Sequence, residues 1–272
     1  MTRKILLYFA LITVGCLMAV PFLWLLLTAL KGSEDVFAFP PSLWPDEFHW
    51  ENFVDTWNAV TPNFGRYILN SVFVSSVVVA SNVLLASLAA FPLARMEFKG
   101  KSLVFVAVLS TMMVPEQVIM IPLYTLALKM GLVNSLWGVI VPFSVNAFGI
   151  FLMRQFYLAV PKSLEDAAVI DGCSPIRVWW NVFVPLSKPA MATLAVFTFV
   201  GTWSNFLWPL VILQDRETFT LPVALAYLTG AFSSNFKFVA AGAVIAIVPV
   251  LLVYALAQRF FINGILAGSV KG

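Results

Sequence analysis

Charge is missing from this chain in blocks. Residues 5–30 form a run of 26 without Asp, Glu, Lys or Arg, 67–94 one of 28, 130–153 one of 24, 189–214 one of 26 and 238–258 one of 21. A sixth stretch, 102–128, carries a single charge, Glu116. A helix needs about 20 mostly apolar residues to cross a bilayer, and all six stretches reach that length. Hydrocarbon offers no water to unpaired backbone groups, so a spanning segment is a helix or part of a closed barrel. No alternation of period two runs through the stretches, which selects helices. The expected fold is therefore an all-α polytopic membrane protein with six transmembrane helices in one domain, 1–272. Composition excludes the water-soluble alternative. Only 11% of the residues are charged and 61% are hydrophobic, against roughly 25% charged in an ordinary soluble domain.

Basic residues set the orientation. With both termini cytoplasmic, eleven Lys and Arg lie inside: Arg3, Lys4, Arg95, Lys99, Lys101, Arg154, Lys162, Arg177, Lys188, Arg259 and Lys271. Five lie outside: Lys31, Arg66, Lys129, Arg216 and Lys237. That bias follows the positive-inside rule. The first run is longer than a signal-peptide core and lacks a small-x-small exit before Lys31, so it reads as a retained first helix, bent at Pro21. The sixteen cations form no stripe, which argues against a nucleic-acid partner. Cys16 and Cys173 read as free thiols.

The longest inner segment is 161–188, PKSLEDAAVIDGCSPIRVWWNVFVPLSK. Lys162 or Ser163 opens a short helix through Ile170, with Glu165 and Asp166 suited to its first turn by the helix dipole. Asp171-Gly172 is a stop signal. Ser174-Pro175 restarts a helix as N-cap and first helical residue. Two short helices then meet at a sharp angle, with Ala167 and Ala168 small enough to let another surface approach. An amphipathic interfacial connector is the plainer alternative, but it needs no break followed at once by a restart.

This segment resembles the cytoplasmic loop of the membrane subunits of ATP-binding-cassette importers, whose pattern is Glu-Ala-Ala, two variable residues, Asp-Gly and a later Pro. Here it reads Asp166-Ala167-Ala168-Val169-Ile170-Asp171-Gly172, with Pro185 at the matching distance; Asp166 replaces the Glu. Trp50-Glu51-Asn52-Phe53, Thr202–Leu210 and the tail Gly268–Gly272 are similar to the carbohydrate-uptake branch, of the maltose-transporter type, in its second permease subunit. The resemblance implies a type I importer permease in a bacterial or archaeal inner membrane. Its partners would be a homologous second permease, two ATPase subunits that hold ATP and Mg, and an extracytoplasmic solute-binding protein. The solute would be a sugar, oligosaccharide or polyol, glycerol-phosphate type included. The 163–183 hairpin would dock on the ATPase through Glu165, Asp166, Ala167, Ala168, Asp171, Gly172 and Arg177, with Lys271 and Gly272 reaching between the ATPase subunits.

Polar residues inside the apolar runs are the other candidates. Glu116, between Pro115 and Pro122, is either a contact to solute or a facing helix, or a boundary residue at the end of a broken helix. Trp203, Asn205 and Trp208 combine ring faces and an amide, the two surfaces a sugar uses; helix packing is the alternative. Asn70, Ser71, Ser75, Ser76, Ser81, Asn82 and Ser87 read as packing residues of the second span, with pore lining as the alternative. His49, the lone histidine, reads as locally bonded. One histidine excludes a His-Glu-x-x-His zinc site, and no phosphate-binding Gly-x-x-x-x-Gly-Lys-Ser/Thr loop occurs. The chain is therefore expected to hold no cofactor and to be no enzyme. An ion-gradient-driven transporter, a lipid-modifying membrane enzyme and a scaffold remain the rival functions. The first predicts carboxylates in matched repeats, and the second a converging set of acid, base or metal groups.

Overall fold

The computed structural model describes residues 2–32, 34–37, 39–40, 42–59, 62–231 and 236–269, the side chains of 2, 3, 37, 231 and 257–269 excepted. In chain order its helices are α1 (Thr2–Ala29), α2 (Glu51–Asn58), α3 (Phe64–Arg95), α4 (Lys101–Thr111), α5 (Glu116–Lys129), α6 (Leu136–Ile140) and α7 (Ala147–Ala159). They continue with α8 (Lys162–Ile170), α9 (Pro175–Val178), α10 (Val184–Leu186), α11 (Lys188–Trp203), α12 (Leu207–Ile212), α13 (Leu221–Ala231) and α14 (Phe236–Ser269). A π-helical turn, Trp179–Phe183, joins α9 to α10. No strand occurs among the described residues.

Four stretches are long and apolar enough to cross a bilayer: Lys4–Ala29, Phe64–Arg95, Leu136–Ala159 and Phe236–Leu256. Two bent pairs raise the number to six when each is taken as one span. The chain is an all-α, polytopic, membrane-type fold. Three boundaries depart from the charge gaps. The 102–128 stretch is bent by 98° between α4 and α5. Pro115 precedes α5 with extended ψ of 137°, and a proline also keeps the residue before it out of the helical region. The expected span 189–214 is cut after Trp203, because the ring of Pro209 in α12 excludes a helical partner at the Asn205 carbonyl. The span expected at 130–153 begins at Leu136 and runs on to Ala159, past Arg154. The Arg154 guanidinium lies 3.9 Å from the Phe105 ring centroid and donates through Nε to the Leu93 carbonyl at 3.0 Å, so its charge is partnered within the protein.

The chain divides into two compact units: residues up to Ile68 with Leu221–Pro249, and Leu69–Thr220 with the chain from Val250 on. In the first unit, the apolar side chains of α1 from Ile5 to Leu23 are exposed, while Ala29 and Leu30 are buried. A helix apolar on all sides and unburied requires apolar surroundings. Asn52 closes its end, donating to the carbonyls of Ala29 (2.9 Å) and Lys31 (3.0 Å) that have no helical partner. Ala29, Ala240 and Ala241 form a small-residue cluster with Phe53. A Cβ on Gly242 would stand 2.9 Å from Leu225 Cδ2, so the small residue lets α13 and α14 approach closely. His49 Nδ1 lies 2.6 Å from Glu51 Oε1; that bond holds the Glu51 carboxyl below its ordinary value.

In the second unit α3 is the axis, and its polar residues bond across helices. Asn70 donates to the carbonyls of Glu217 and Phe219, both at 2.9 Å. Asn82 donates to Thr198 Oγ1 (2.8 Å) and accepts from the Asn146 amide (3.1 Å). Ser87 Oγ lies 2.6 Å from the Tyr157 hydroxyl and accepts from Trp179 Nε1 at 3.1 Å. Buried polar groups in a membrane are kept by such bonds, which supports packing rather than pore lining for these three. One core joins α3, α7 and the segment after α8 through Ala86, Phe91, Met153, Tyr157, Trp179 and Phe183. A second joins α3, α6 and α12 through Val74, Val78, Ile140, Trp208 and Ile212. Cys16 and Cys173 are free thiols.

Candidate functional site

Two places in the second unit combine exposure with chemistry. The first is the hairpin. α8 begins at Lys162 and ends at Ile170, with Asp171 as C-cap and Gly172 at φ of +78°. The Gly172 amide donates to the Val169 carbonyl and the Cys173 amide to the Ala168 carbonyl, both at 3.0 Å. These two bonds are the Schellman termination, and its left-handed residue is most easily a glycine. Ser174 precedes α9 with Pro175 at the first helical position, as expected, but its side chain makes no capping bond. The π-helical turn follows, and the chain bends by 78° into α11. Trp179 is buried, whereas Trp180 is exposed.

Arg95, at the last residue of α3, ties this hairpin down. Its Nε donates to Glu165 Oε2 at 2.7 Å and its Nη1 to the Val160 carbonyl at 3.1 Å. The guanidinium also lies 5.2 Å from the Phe183 ring centroid. Both partners of the ion pair are largely shielded, with side-chain exposures of 10% and 20%. Glu165 is thus engaged within its own chain, and Ala168 is buried in the core. Asp166, Ala167, Asp171, Gly172 and Arg177 are exposed. Val169 and Ile176 are exposed beside them, and Ile170 is 85% exposed. Lys271 and Gly272 lie outside the described residues. The result is a rigid knob that shows an apolar tip rimmed by both signs of charge. Arg95 and Ile170 escaped the sequence reading. Arg95 stood out only as a cation at the end of an apolar run, and Ile170 as one aliphatic among many.

The second place is an open cavity of about 460 Å³. Glu116, Asn146, Thr198, Thr202 and Asn205 supply its polar wall, and Val78, Val139, Phe143, Phe148 and Phe197 its apolar wall. Pro115 starts α5 so that Glu116 falls in its first turn, the position a helix dipole suits to negative charge. Glu116 Oε1 is shielded and has no hydrogen-bond partner. The Phe148 and Phe197 rings meet edge to face at 5.7 Å. Glu116 and Asn205 are therefore brought together, whereas the two tryptophans are not. Trp203 is buried and stacks on Phe199 at 5.4 Å. Trp208 is 0% exposed and donates Nε1 to the Gly138 carbonyl at 3.0 Å. Thr198, Asn146, Phe148 and Phe197 were missed, since nothing in composition separates them from packing residues. No cluster of His, Cys, Asp and Glu that could hold a metal occurs among the described residues.

Residues 82–265 match the protein family described as binding-protein-dependent transport system inner membrane component. Among curated relatives, the probable ABC transporter permease protein YurM of Bacillus subtilis is 35% identical over 256 residues, 93% of this chain and 84% of its own length. The arabinooligosaccharides transport system permease protein AraQ of Halalkalibacterium halodurans is 40% identical over 203 residues, 75% of this chain and 73% of its own. In fold, the chain is similar to one from a bacterial ABC transporter involved in the import of the acidic polysaccharide alginate. The TM-score is 0.81, at 23% identity, over 96% of this chain and 98% of the other.

Proposed function

This chain belongs to the family of binding-protein-dependent transport system inner membrane components, and from that premise we propose that it is the permease subunit of an ATP-driven carbohydrate importer. It forms half of a translocation path whose other half is a homologous permease. The solute is a sugar, oligosaccharide or polyol, brought by an extracytoplasmic binding protein. Two ATPase subunits hydrolyse ATP, with Mg, on the cytoplasmic side, where both termini of this chain also lie.

The observation that carries the proposal is the form of the hairpin. Its base is held by Arg95 and by the buried Trp179, while its tip presents Ile170, Asp166 and Arg177 outward. A rigid protrusion with an apolar centre and a charged rim is suited to a cleft in a partner. Movement of the partner is then passed to α7 and α11 without being absorbed in a flexible loop. ATP favours one arrangement of the ATPase pair by binding it more tightly, and the hairpin transmits that preference to the path. Glu116 and Asn205 line the path, as their shared cavity supports. The tail with Lys271 and Gly272 contributes to the ATPase interface.

Purification in mild detergent tests this reading. An ATP-hydrolysing subunit and a second permease are expected to accompany the chain. Recovery of the chain alone, under conditions that keep it folded, would overturn the proposal.

A further inference from the structure

Resting on that reading, the cavity also bears on the charge of the solute. Its acceptors and donors are unequally committed. The Thr198 hydroxyl accepts from Asn82 Nδ2, which leaves its own proton to donate. Asn146 Oδ1 accepts from the Gly149 amide at 2.7 Å, which leaves its NH2 group to donate. Glu116 can only accept when ionised, and its shielded Oε1 receives no bond from the protein. A carboxylate oxygen shielded from water without a donor is costly, and a donor from a ligand removes that cost. Among the described residues that line the cavity, Glu116 is the only charged one. None of these described lining residues of this chain is a Lys, Arg or His that could balance an incoming anion.

We propose that Glu116 makes this cavity select solutes that bring hydrogen-bond donors without negative charge, so that the importer passes neutral or cationic saccharides and excludes anionic ones. A saccharide hydroxyl donates to Glu116 and accepts from Thr198 or Asn146. Its C–H face lies on the Phe148 and Phe197 rings. An anion about 6 Å from the carboxylate, in surroundings of effective dielectric about 20, is disfavoured by about two orders of magnitude in occupancy.

The test uses the purified permease–ATPase complex in nanodiscs, without binding protein, so that only the membrane cavity selects. Dicyclohexylcarbodiimide modifies shielded carboxyl groups through their protonated form, so a solute that donates a hydrogen bond to the carboxylate slows the reaction; mass spectrometry reports the adduct on Glu116, with Glu116→Gln as the control for its assignment. The probes are arabinotriose, raffinose and chitobiose with free amines on one side, and trigalacturonate and an alginate trisaccharide on the other. Modification is expected to be slowed about tenfold by at least one neutral or cationic probe and to be unchanged by the anionic ones. Protection by an anionic probe, absence of protection by every probe at a pH where Glu116 reacts, or modification undiminished as the pH is raised, the mark of an uncharged Glu116, would overturn the charge selection. None of these would remove the ATPase from the complex. Failure of the ATPase to co-purify would instead overturn the importer reading, and this inference with it.

Discussion

Arg95 concentrates the attachment of the hairpin in one side chain. It bonds the first turn of α8, the end of α7 and, through its guanidinium face, Phe183. Removing one partner of a shielded ion pair strands the other, at roughly 3–5 kcal/mol. Arg95→Met should therefore loosen 162–175 and weaken ATPase attachment while the spans stay inserted. Limited proteolysis and co-purification read both effects; an unchanged hairpin would reject the clamp. Glu165→Gln, which keeps one hydrogen bond, should have the smaller effect. Gly172 poses a different problem. Its φ of +78° costs a residue with a Cβ about 1–2 kcal/mol, and the site is on the exposed tip. Gly172→Asp should leave the amount of protein in the membrane unchanged but lower solute uptake per ATP hydrolysed. Vesicle uptake and ATPase assays decide this, and normal uptake would exclude a coupling role.

At the scale of elements, what was legible in the sequence was what acts over a few residues. Asp171-Gly172 and Ser174-Pro175 predicted the hairpin because caps and stops are local. Charge gaps predicted the four unbroken apolar helices because the bilayer filters by composition. The break at Pro115 agrees with the reading of Glu116 as a boundary residue of a broken helix, whereas the break before Pro209 fell inside an apolar run, where counting charges is blind to backbone sterics. The Arg95–Glu165 pair joins residues 70 apart, and no local pattern points to it. Asn134 is a similar case. It adopts φ of 59°, and its Oδ1 accepts from the amides of Gln214 and Asp215 and from Thr218 Oγ1, pinning the turn after α5 to the loop after α12. The aromatic cluster 203–208 looked like one sugar surface in sequence, but the break between α11 and α12 sends its members apart. Trp208 packs against α6, and Asn205 faces the cavity. Trp208→Ala should cost about 3–5 kcal/mol through the void it leaves, seen as a lower melting temperature in detergent. The relative rates of import of different sugars should not change. An altered sugar preference at unchanged stability would place Trp208 in the path after all.

In the whole molecule, one compact unit carries an exposed apolar tip, a clamped base and a cavity lined by one carboxyl group. α1 and the tip of the hairpin expose apolar side chains for different reasons: the first suits lipid or a second permease, the second a soluble partner. The central claim is that Ile170 and its neighbours sit in a cleft of an ATPase. A photo-reactive benzoylphenylalanine placed at Ile170, irradiated in native membranes, tests it most directly. The predicted product is a single crosslink to an ATP-binding-cassette ATPase, whose yield changes when ATP is bound. A crosslink to lipid alone, or to a protein that does not bind nucleotide, would contradict the account.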